Sequence, residues 1–208
     1  MNLLKFATRL PFLTSVIILC FLVFYNNKKE ERNRRKSYNE FWDRESKANS
    51  TRVKPLDSID FITIPYDDLP LDCCPEDEEI AGYIQELTEL REERIANFTG
   101  MSNTDLKLAY GTANITVLSD ADRRFTSLCR ILANWADRLH KLGHDDEALK
   151  VIDFALDIRS DVSSIYYLAA SIYEERGTVE LISSLVEKAG ELNSMSGPII
   201  VRHLKESC

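Results

Sequence analysis

The sequence predicts an all-α protein: two helical hairpins with flanking capping helices, preceded by one N-terminal transmembrane helix. Three observations carry this prediction. Residues 128–194 repeat themselves with a period of 34 residues, apolar residues recur at helical spacing on both sides of the repeat, and residues 10–27 form a run of 18 residues without a charge. The chain has 208 residues, of which 44% are apolar and 29% charged, which suits one globular domain with appendages.

The repeat is visible when the chain is shifted by 34 residues against itself, because like residues then coincide. Each unit has the pattern of two helices around a glycine turn, with small residues where two helix backbones approach closely. The coinciding pairs are Leu132 and Tyr166, Ala136 and Ala170, Leu139 and Tyr173, Gly143 and Gly177, Ile152 and Val186, Ala155 and Ala189, and Ser160 and Ser194. The expected helices are 120–142 and 145–158 in the first unit, and 162–176 and 178–193 in the second.

These residues resemble the tetratricopeptide repeat (TPR). The first unit has the small, large apolar and glycine residues in that family's register, and the second keeps most of them but has Ile182 at the first alanine of its second helix. The matching residues are Ala136, Leu139, Gly143, Ala148 and Ala155, and then Ala170, Tyr173, Gly177 and Ala189. Serine replaces the usual closing proline in both units. The resemblance implies a scaffold that binds a protein or peptide partner.

In tetratricopeptide arrays the first helix of each unit lines a concave groove that holds the partner, and the resemblance carries this groove over. The corresponding positions are Arg130, Ala133, Asp137, His140 and Lys141 in the first unit, and Ser164, Tyr167, Ser171, Glu174 and Glu175 in the second. Family members that hold acidic chaperone tails have lysines and asparagines there, so the mixed side chains of this chain do not support that ligand. The alternative is that these residues are only a solvated face.

The uncharged run at residues 10–27 is long enough to cross a bilayer core of about 30 Å as a helix. Residues 1–9 are then a short N-terminal tail. A cleaved secretory signal is the rival interpretation, but no small-x-small cleavage site follows the run. The sequence therefore favours an uncleaved single-pass anchor in the lipid bilayer.

Orientation follows from the Lys and Arg residues that flank the run, since cytoplasmic flanks carry an excess of them. Lys5 and Arg9 precede the run, whereas six basic residues follow it closely. These six residues, here called the basic collar, are Lys28, Lys29, Arg32, Arg34, Arg35 and Lys36. The excess predicts that the soluble part faces the cytoplasm, with the collar against anionic lipid head groups.

Net charge separates the first part of the chain from the rest. Residues 1–36 carry eight Lys or Arg and two Glu, a net charge of +6, so with the whole chain at -8 the remainder carries -14. An acidic body disfavours nucleic acid as a partner, because phosphate binding needs a positive face.

The opposite orientation has its own support. Asn49, Asn97 and Asn114 each begin an N-x-S/T sequon, which acts only in a secretory route. The cysteines, in contrast, show no disulfide spacing pattern, which suits a reducing compartment. If the soluble part faces outward, the expected function is instead that of a structural subunit of an envelope complex.

Residues 28–74 are expected to be a basic juxtamembrane segment and an extended linker. Within this region an apolar strip at residues 59–66 lies between prolines, which exclude a helix of useful length. An extended apolar strip needs a surface to cover it, so we expect it to pack against the helices. The alternatives are a simple tether or an occupant of the groove.

Residues 75–127 are expected to be a capping helix and an irregular connection. Pro75 is expected to open the helix, followed by acidic residues in its first turn. Apolar residues at helical spacing predict that this helix continues to Phe98, and Gly100 is expected to end it.

The connection itself is harder to interpret. A short helix is expected to begin at Thr104 and to end at Gly111, and Ile115 to Leu118 are expected to be extended. Ser119 with Asp122 has the pattern of an N-cap for the first helix of the repeat.

Residues 128–208 are expected to hold the repeats and a C-terminal capping helix that begins at Pro198. Two repeats alone leave their outer faces uncovered, so a helix on either side is needed to cover them.

The sequence contains no signature of a catalytic site, a phosphate loop or a dinucleotide fold, so we expect a non-enzymatic protein without a cofactor. His140 and His144 are four residues apart, but Gly143 interrupts the helix between them, so no metal site is expected. Cys73 and Cys74 are adjacent and are expected to project in different directions. An enzyme is the least favoured class, and paired carboxylates of raised pKa would be its mark.

Overall fold

The computed structural model describes the chain at residues 10–207, with side chains at residue 15 and residues 17–206. The tail at 1–9 lies outside the described residues. Within the described part, all regular structure is helical, with eight α-helices and no strand, so the all-α prediction is confirmed. The chain divides into two compact units, Met1–Thr51 and Arg52–Cys208.

In the described part of the first unit, residues 10–51, the chain forms one long helix, α1 (Leu10–Asn49). The basic collar lies on this helix, where two of its members form ion pairs one turn apart: Arg35 with Glu31 at 2.5 Å and Lys36 with Glu40 at 3.7 Å. Among the described residues, no helix combines the length and the apolarity that a membrane crossing requires. The side chains of residues 10–14 and 16, which belong to the predicted span, lie outside the described residues.

The second unit holds the other seven helices of the described chain. They are α2 (Glu78–Glu89), α3 (Asn103–Tyr110), α4 (Ile115–Lys141), α5 (Asp145–Asp157), α6 (Ser163–Glu175), α7 (Ile182–Gly190) and α8 (Ser196–Ser207). Single 3₁₀ turns at Thr112–Asn114 and Val179–Leu181 lead directly into α4 and α7. Two helical hairpins, α4 with α5 and α6 with α7, occupy the region in which the sequence repeats.

The turn inside each hairpin has the same hydrogen bonds. Residue His144 donates its N–H to the Leu139 carbonyl at 2.9 Å, and Thr178 donates to the Tyr173 carbonyl at 2.9 Å, 34 residues later. Each turn contains a glycine: Gly143 has a φ angle of 81° and Gly177 one of 71°, a left-handed conformation that glycine adopts without cost. This turn satisfies the last carbonyls of α4 and α6.

The turn that leaves each hairpin is repeated as well. Ser160 accepts a hydrogen bond on its hydroxyl from the Val162 N–H at 3.4 Å, and Ser194 accepts one from the Ser196 N–H at 3.3 Å. A serine hydroxyl bonded to the backbone two residues ahead forms a local turn. The serines at the closing positions therefore turn the chain through a side-chain bond.

Burial follows the same period through both hairpins. Small and large core residues coincide with their partners 34 positions later, and both members of each pair are buried: Ile131 and Ile165, Leu132 and Tyr166, Trp135 and Ala169, Ala148 and Ile182, Val151 and Leu185, and Ala155 and Ala189. Equivalent positions of the two hairpins are thus buried in the same pattern.

Helix α8 extends the period by one more step. Ile200 and Leu204 lie 34 positions after Tyr166 and Ala170, and both are buried. The predicted C-terminal capping helix is therefore present, and it takes the position of the first helix of a third unit.

The predicted capping helix at 75–98 is shorter than expected. The first helical residue is Glu78 and not Pro75, Asp77 is the N-cap with its carboxylate accepting the Ile80 N–H, and α2 ends at Glu89. Ile95 and Phe98 have helical spacing but are buried in a non-helical segment, because the Ile95 carbonyl accepts the Ile62 N–H at 2.9 Å. A tertiary hydrogen bond thus replaces the helical one.

Helix α4 begins earlier than expected. Ile115, Val117 and Leu118 are helical rather than extended, and Ser119 lies inside the helix instead of at its N-cap. The physical reason is burial: Leu118, Ala121 and Phe125 continue the apolar face of the repeat by another two turns.

Two groups of buried side chains fill the second unit. The main core joins α2 and the repeat helices around Trp135 and Tyr166. A second cluster consists of Ala96, Phe98, Leu106, Leu118 and Ala121.

The apolar strip at residues 59–66 packs on both groups, as expected. Ile64 is buried in the main core, Phe61 packs on the second cluster, and the Tyr66 hydroxyl donates to the Leu87 carbonyl at 2.7 Å. The strip therefore covers the helices and is not a simple tether.

Candidate functional site

The predicted groove residues of the first hairpin lie on α4, where each has a partner close by. Arg130 forms an ion pair with Glu86 of α2 at 2.6 Å, and Asp137 pairs with Lys141 at 2.6 Å. His140 places Nδ1 at 2.7 Å from an Asp145 carboxylate oxygen. Arg130 thus contacts α2, whereas His140, about three turns further along α4, contacts α5.

The predicted groove residues of the second hairpin lie on α6. Tyr167 packs its ring against His203 of α8, with 4.1 Å between the ring centroids, and Ser171 donates to Glu175 at 3.5 Å. Glu174 and Glu175 are exposed. The structure therefore distributes the predicted residues along two helices and does not bring them all into one cavity.

Three of the groove positions do line one cavity of about 560 Å³, which we call the α4–α6 cavity. Arg130 and Ala133 contribute from α4 and Ser164 from the start of α6. The other walls come from the segment before α3, from α4 and from the turn between α5 and α6, with these residues: Phe98, Thr99, Gly100, Met101, Asp122, Phe125, Thr126, Cys129, Asn134, Asp161 and Val162. No residue of the strip at 59–66 is among the described residues that line it, so this cavity is not filled by the strip.

The α4–α6 cavity combines an apolar floor with a charged rim. Phe125 and Cys129 are buried at its base, whereas Asp122, Asp161 and Arg130 bring charges of both signs to its edge. Burial, with Asp161 nearby, raises the pKa of the Cys129 thiol to about 11, so this thiol stays protonated at neutral pH and is a poor nucleophile.

Several lining residues were missed from the sequence although a signal was present. Asp122, Thr126, Arg130 and Asn134 are each four residues apart and share one face of α4. The resemblance places the groove only within the repeat. It therefore does not predict that the groove continues into the first half of α4.

A different cluster joins parts of the chain that the sequence did not connect. The ligand atoms of Cys73, Cys74 and His144 all lie within 4.8 Å of one another, and the two sulfur atoms are 3.2 Å apart. Cys74 has a φ of 52°, and this left-handed conformation turns its side chain toward that of Cys73. The expectation that the two thiols project in different directions is therefore wrong.

His140 and His144, which are four residues apart in the sequence, have different neighbours in the structure. The Gly143 turn lies between them, so His140 faces Asp145 while His144 joins the two cysteines. Burial, followed by the contact with Cys74, raises the pKa of the Cys73 thiol to about 11.

Comparisons with known proteins give no relative: no family model matches the chain, no curated protein matches it, and no solved structure matches it.

Proposed function

We propose that the chain is a single-pass, membrane-anchored scaffold of the tetratricopeptide type that binds a protein or peptide partner in the α4–α6 cavity and catalyses no reaction. The observation that carries this proposal is the 34-residue register, which recurs in the turns and in the buried positions of both hairpins. Arrays with such a register expose the faces of their first helices for binding.

The α4–α6 cavity supports this proposal by its position. It opens between the first helices of the two hairpins, where Ala133 and Ser164 present small side chains to the space. The soluble part carries a net charge of -14. We therefore propose a partner with a neutral or basic contact surface, because opposite charge favours encounter.

Anchoring is supported by the uncharged run at residues 10–27 and by the basic collar that follows it. For the soluble part we propose the cytoplasmic side, with the collar against anionic head groups. Two sequon asparagines favour this side: the side-chain nitrogen of Asn97 donates to the Ile158 carbonyl at 3.1 Å, and that of Asn114 donates to the Tyr110 carbonyl at 2.8 Å. Each nitrogen also donates a second bond, that of Asn97 to the Arg159 carbonyl and that of Asn114 to the Lys54 carbonyl. A glycan leaves only one N–H on the nitrogen, so it would remove one of the two bonds.

Binding in the cavity is tested by photocrosslinking in cells. A photoreactive residue at Ala133 or Ser164 is expected to capture a defined protein, whereas one at the exposed Glu187 on α7 is not. The same probe at Lys141 and Tyr167 asks whether the partner continues along the wider predicted groove. Ser164→Arg should abolish capture from Ala133, and Ser183→Arg, a matched change on α7, should not.

Equal capture from Ala133 and from Glu187, or capture unaffected by Ser164→Arg, would contradict the proposed binding site.

The membrane orientation is tested separately with a reporter that is fused after Cys208 and is active only in the cytoplasm. An inactive cytoplasmic reporter, together with activity of a second reporter that works only outside the cell, would favour the structural subunit of an envelope complex.

A further inference from the structure

The cluster of Cys73, Cys74 and His144, here called the thiol–imidazole cluster, has no part in the proposed function. It lies among the segment before α2 and the turn between α4 and α5. Two soft sulfur ligands and one imidazole within 4.8 Å are the donor set that thiophilic metal ions select.

The backbone holds this donor set in place. On one side, Cys73 donates its N–H to the Pro70 carbonyl at 3.1 Å and Cys74 accepts the Asp77 N–H at 3.0 Å. On the other side, His144 accepts the Ala148 N–H at 2.9 Å as the N-cap of α5. The left-handed conformation of Cys74 is unfavourable for a residue with a Cβ, and it brings the second sulfur to the first.

We propose that Cys73, Cys74 and His144 bind a thiophilic divalent metal ion, Zn²⁺, through two thiolates and one imidazole nitrogen. In a tetrahedral site with Zn–S bonds of about 2.3 Å the two sulfur atoms are about 3.8 Å apart. They are 3.2 Å apart here, so a small rotation of the two side chains opens the site.

The fourth position is open to water or to Glu147. One carboxylate oxygen of Glu147 is 3.9 Å from His144 Nδ1, close enough to orient the ring or to reach the ion. Binding releases the two thiol protons to solvent, and the two thiolates neutralise the charge of the ion. No electron transfer is involved.

A metal ion in this position would join two separate parts of the main core. The cysteines precede α2, and His144 begins the second helix of the first hairpin. An ion bound only in the folded state therefore stabilises the docking of α2 against the repeat.

The test uses the full chain, reduced and metal-free in detergent, titrated with Co²⁺ as a spectroscopic substitute for Zn²⁺. Thiolate-to-cobalt charge-transfer absorption is expected to saturate at one ion per chain and to disappear when Zn²⁺ is added. Cys73→Ser, Cys74→Ser and His144→Gln should each weaken binding by more than about tenfold. Cys129→Ser and His140→Gln, which change the same residue types elsewhere, should bind as the unaltered chain does.

Thermal unfolding gives a second measurement, which does not depend on the absorption of cobalt. Zn²⁺ is expected to raise the Tm of the unaltered chain and of both controls, a chelator should reverse the increase, and the Tm of the three cluster variants should not respond. Absorption without thiolate character, or a Tm increase that survives all three substitutions, overturns the proposal. A disulfide between Cys73 and Cys74 that forms in air and is detected as the loss of two hydrogens by mass, together with no Zn²⁺ response after reduction, also overturns it.

Discussion

Asp77 performs two tasks with one carboxylate. It caps α2 by accepting the Ile80 N–H, and it accepts three hydrogen bonds from Arg138 of α4, the shortest at 2.7 Å. The Arg138 hydrogen bonds, together with the bond from the Ile80 backbone, lower the pKa of Asp77 below its usual value. The start of α2 is therefore tied to the middle of the first hairpin by a charge.

Replacing Asp77 by Asn keeps a capping oxygen and removes the charge. We expect Asp77→Asn to lower the Tm at pH 7. The folded-state pKa of Asp77 is below the unfolded value of about 3.9, so the contribution of its charge is present above that value and is lost as the pH falls through the folded pKa. The Tm difference between variant and unaltered chain should therefore shrink below about pH 4.

Thermal melts across this pH range measure the effect, with Asp68→Asn at an exposed position as the control. A difference in Tm that is constant from pH 7 to the acid limit would show that the carboxylate charge is irrelevant.

Tyr166 contributes a buried hydroxyl between the two hairpins. It donates to the Ser160 carbonyl at 3.1 Å, and burial raises its pKa to about 12. We expect Tyr166→Phe to reduce the free energy of unfolding by about 1 kcal/mol, since it leaves a buried carbonyl with one bond fewer. Denaturant unfolding measures this change. An increase in stability would mean that the Ser160 carbonyl gains nothing from the hydroxyl.

The two candidate sites differ in how far their residues could be predicted from the sequence. Arg130, Ala133 and Ser164 line one cavity, and the repeat register in the sequence indicates that they face the same side of their helices. The meeting of Cys73 with Cys74 was not predictable, because it depends on a left-handed φ at a residue that rarely adopts one. The approach of His144 to both depends on tertiary packing.

Most helix boundaries were predicted within a few residues, including the bounds of α3 and the start of α8, whereas the end of α2 and the start of α4 were not. Gly turns and serine turns mark the ends of α5 and α6 in the sequence itself. The end of α2 and the start of α4 have no such mark, since they depend on the hydrogen bond from Ile62 to Ile95 and on the burial of Leu118. Gly111, where a Cβ would lie 2.5 Å from the Arg52 carbonyl, fixes the junction before α4 by a contact that only the fold reveals.

The second helices of the two hairpins pack through alanines at equivalent positions. Ala155 and Ala189 are both completely buried, so their size sets the distance between helices. We expect Ala155→Leu and Ala189→Leu each to cost about 1 to 3 kcal/mol of stability by overpacking. Ala81→Leu, on the exposed face of α2, should change the stability by less than about 0.5 kcal/mol. Denaturant unfolding compares the three, and equal values for all of them would refute the register.

Across the whole second unit, α4 connects the two groups of buried side chains. Its first half contributes Leu118 and Ala121 to the second cluster, and its second half contributes Leu132 and Trp135 to the main core. A helix shared in this way makes the two groups dependent on each other.

We therefore expect a cavity in the second cluster to weaken the main core as well. Leu106→Ala should cost about 2 to 5 kcal/mol and should accelerate hydrogen exchange in α6 as much as in α3. Exchange measured by mass spectrometry decides this, with Met101→Ala at an exposed position as the control. Faster exchange confined to α3 would show that the second cluster unfolds independently.

The position of α8 has a consequence for the way the array could grow. Ile199 is 53% exposed, although Ile165 and Ile131, its counterparts one and two periods earlier, are 1% and 2% exposed. The last helix thus presents to solvent a side that every preceding copy conceals. A designed module of the same length, inserted at the serine that precedes α8, would meet a matching neighbour at both of its ends and lengthen the superhelix by one step.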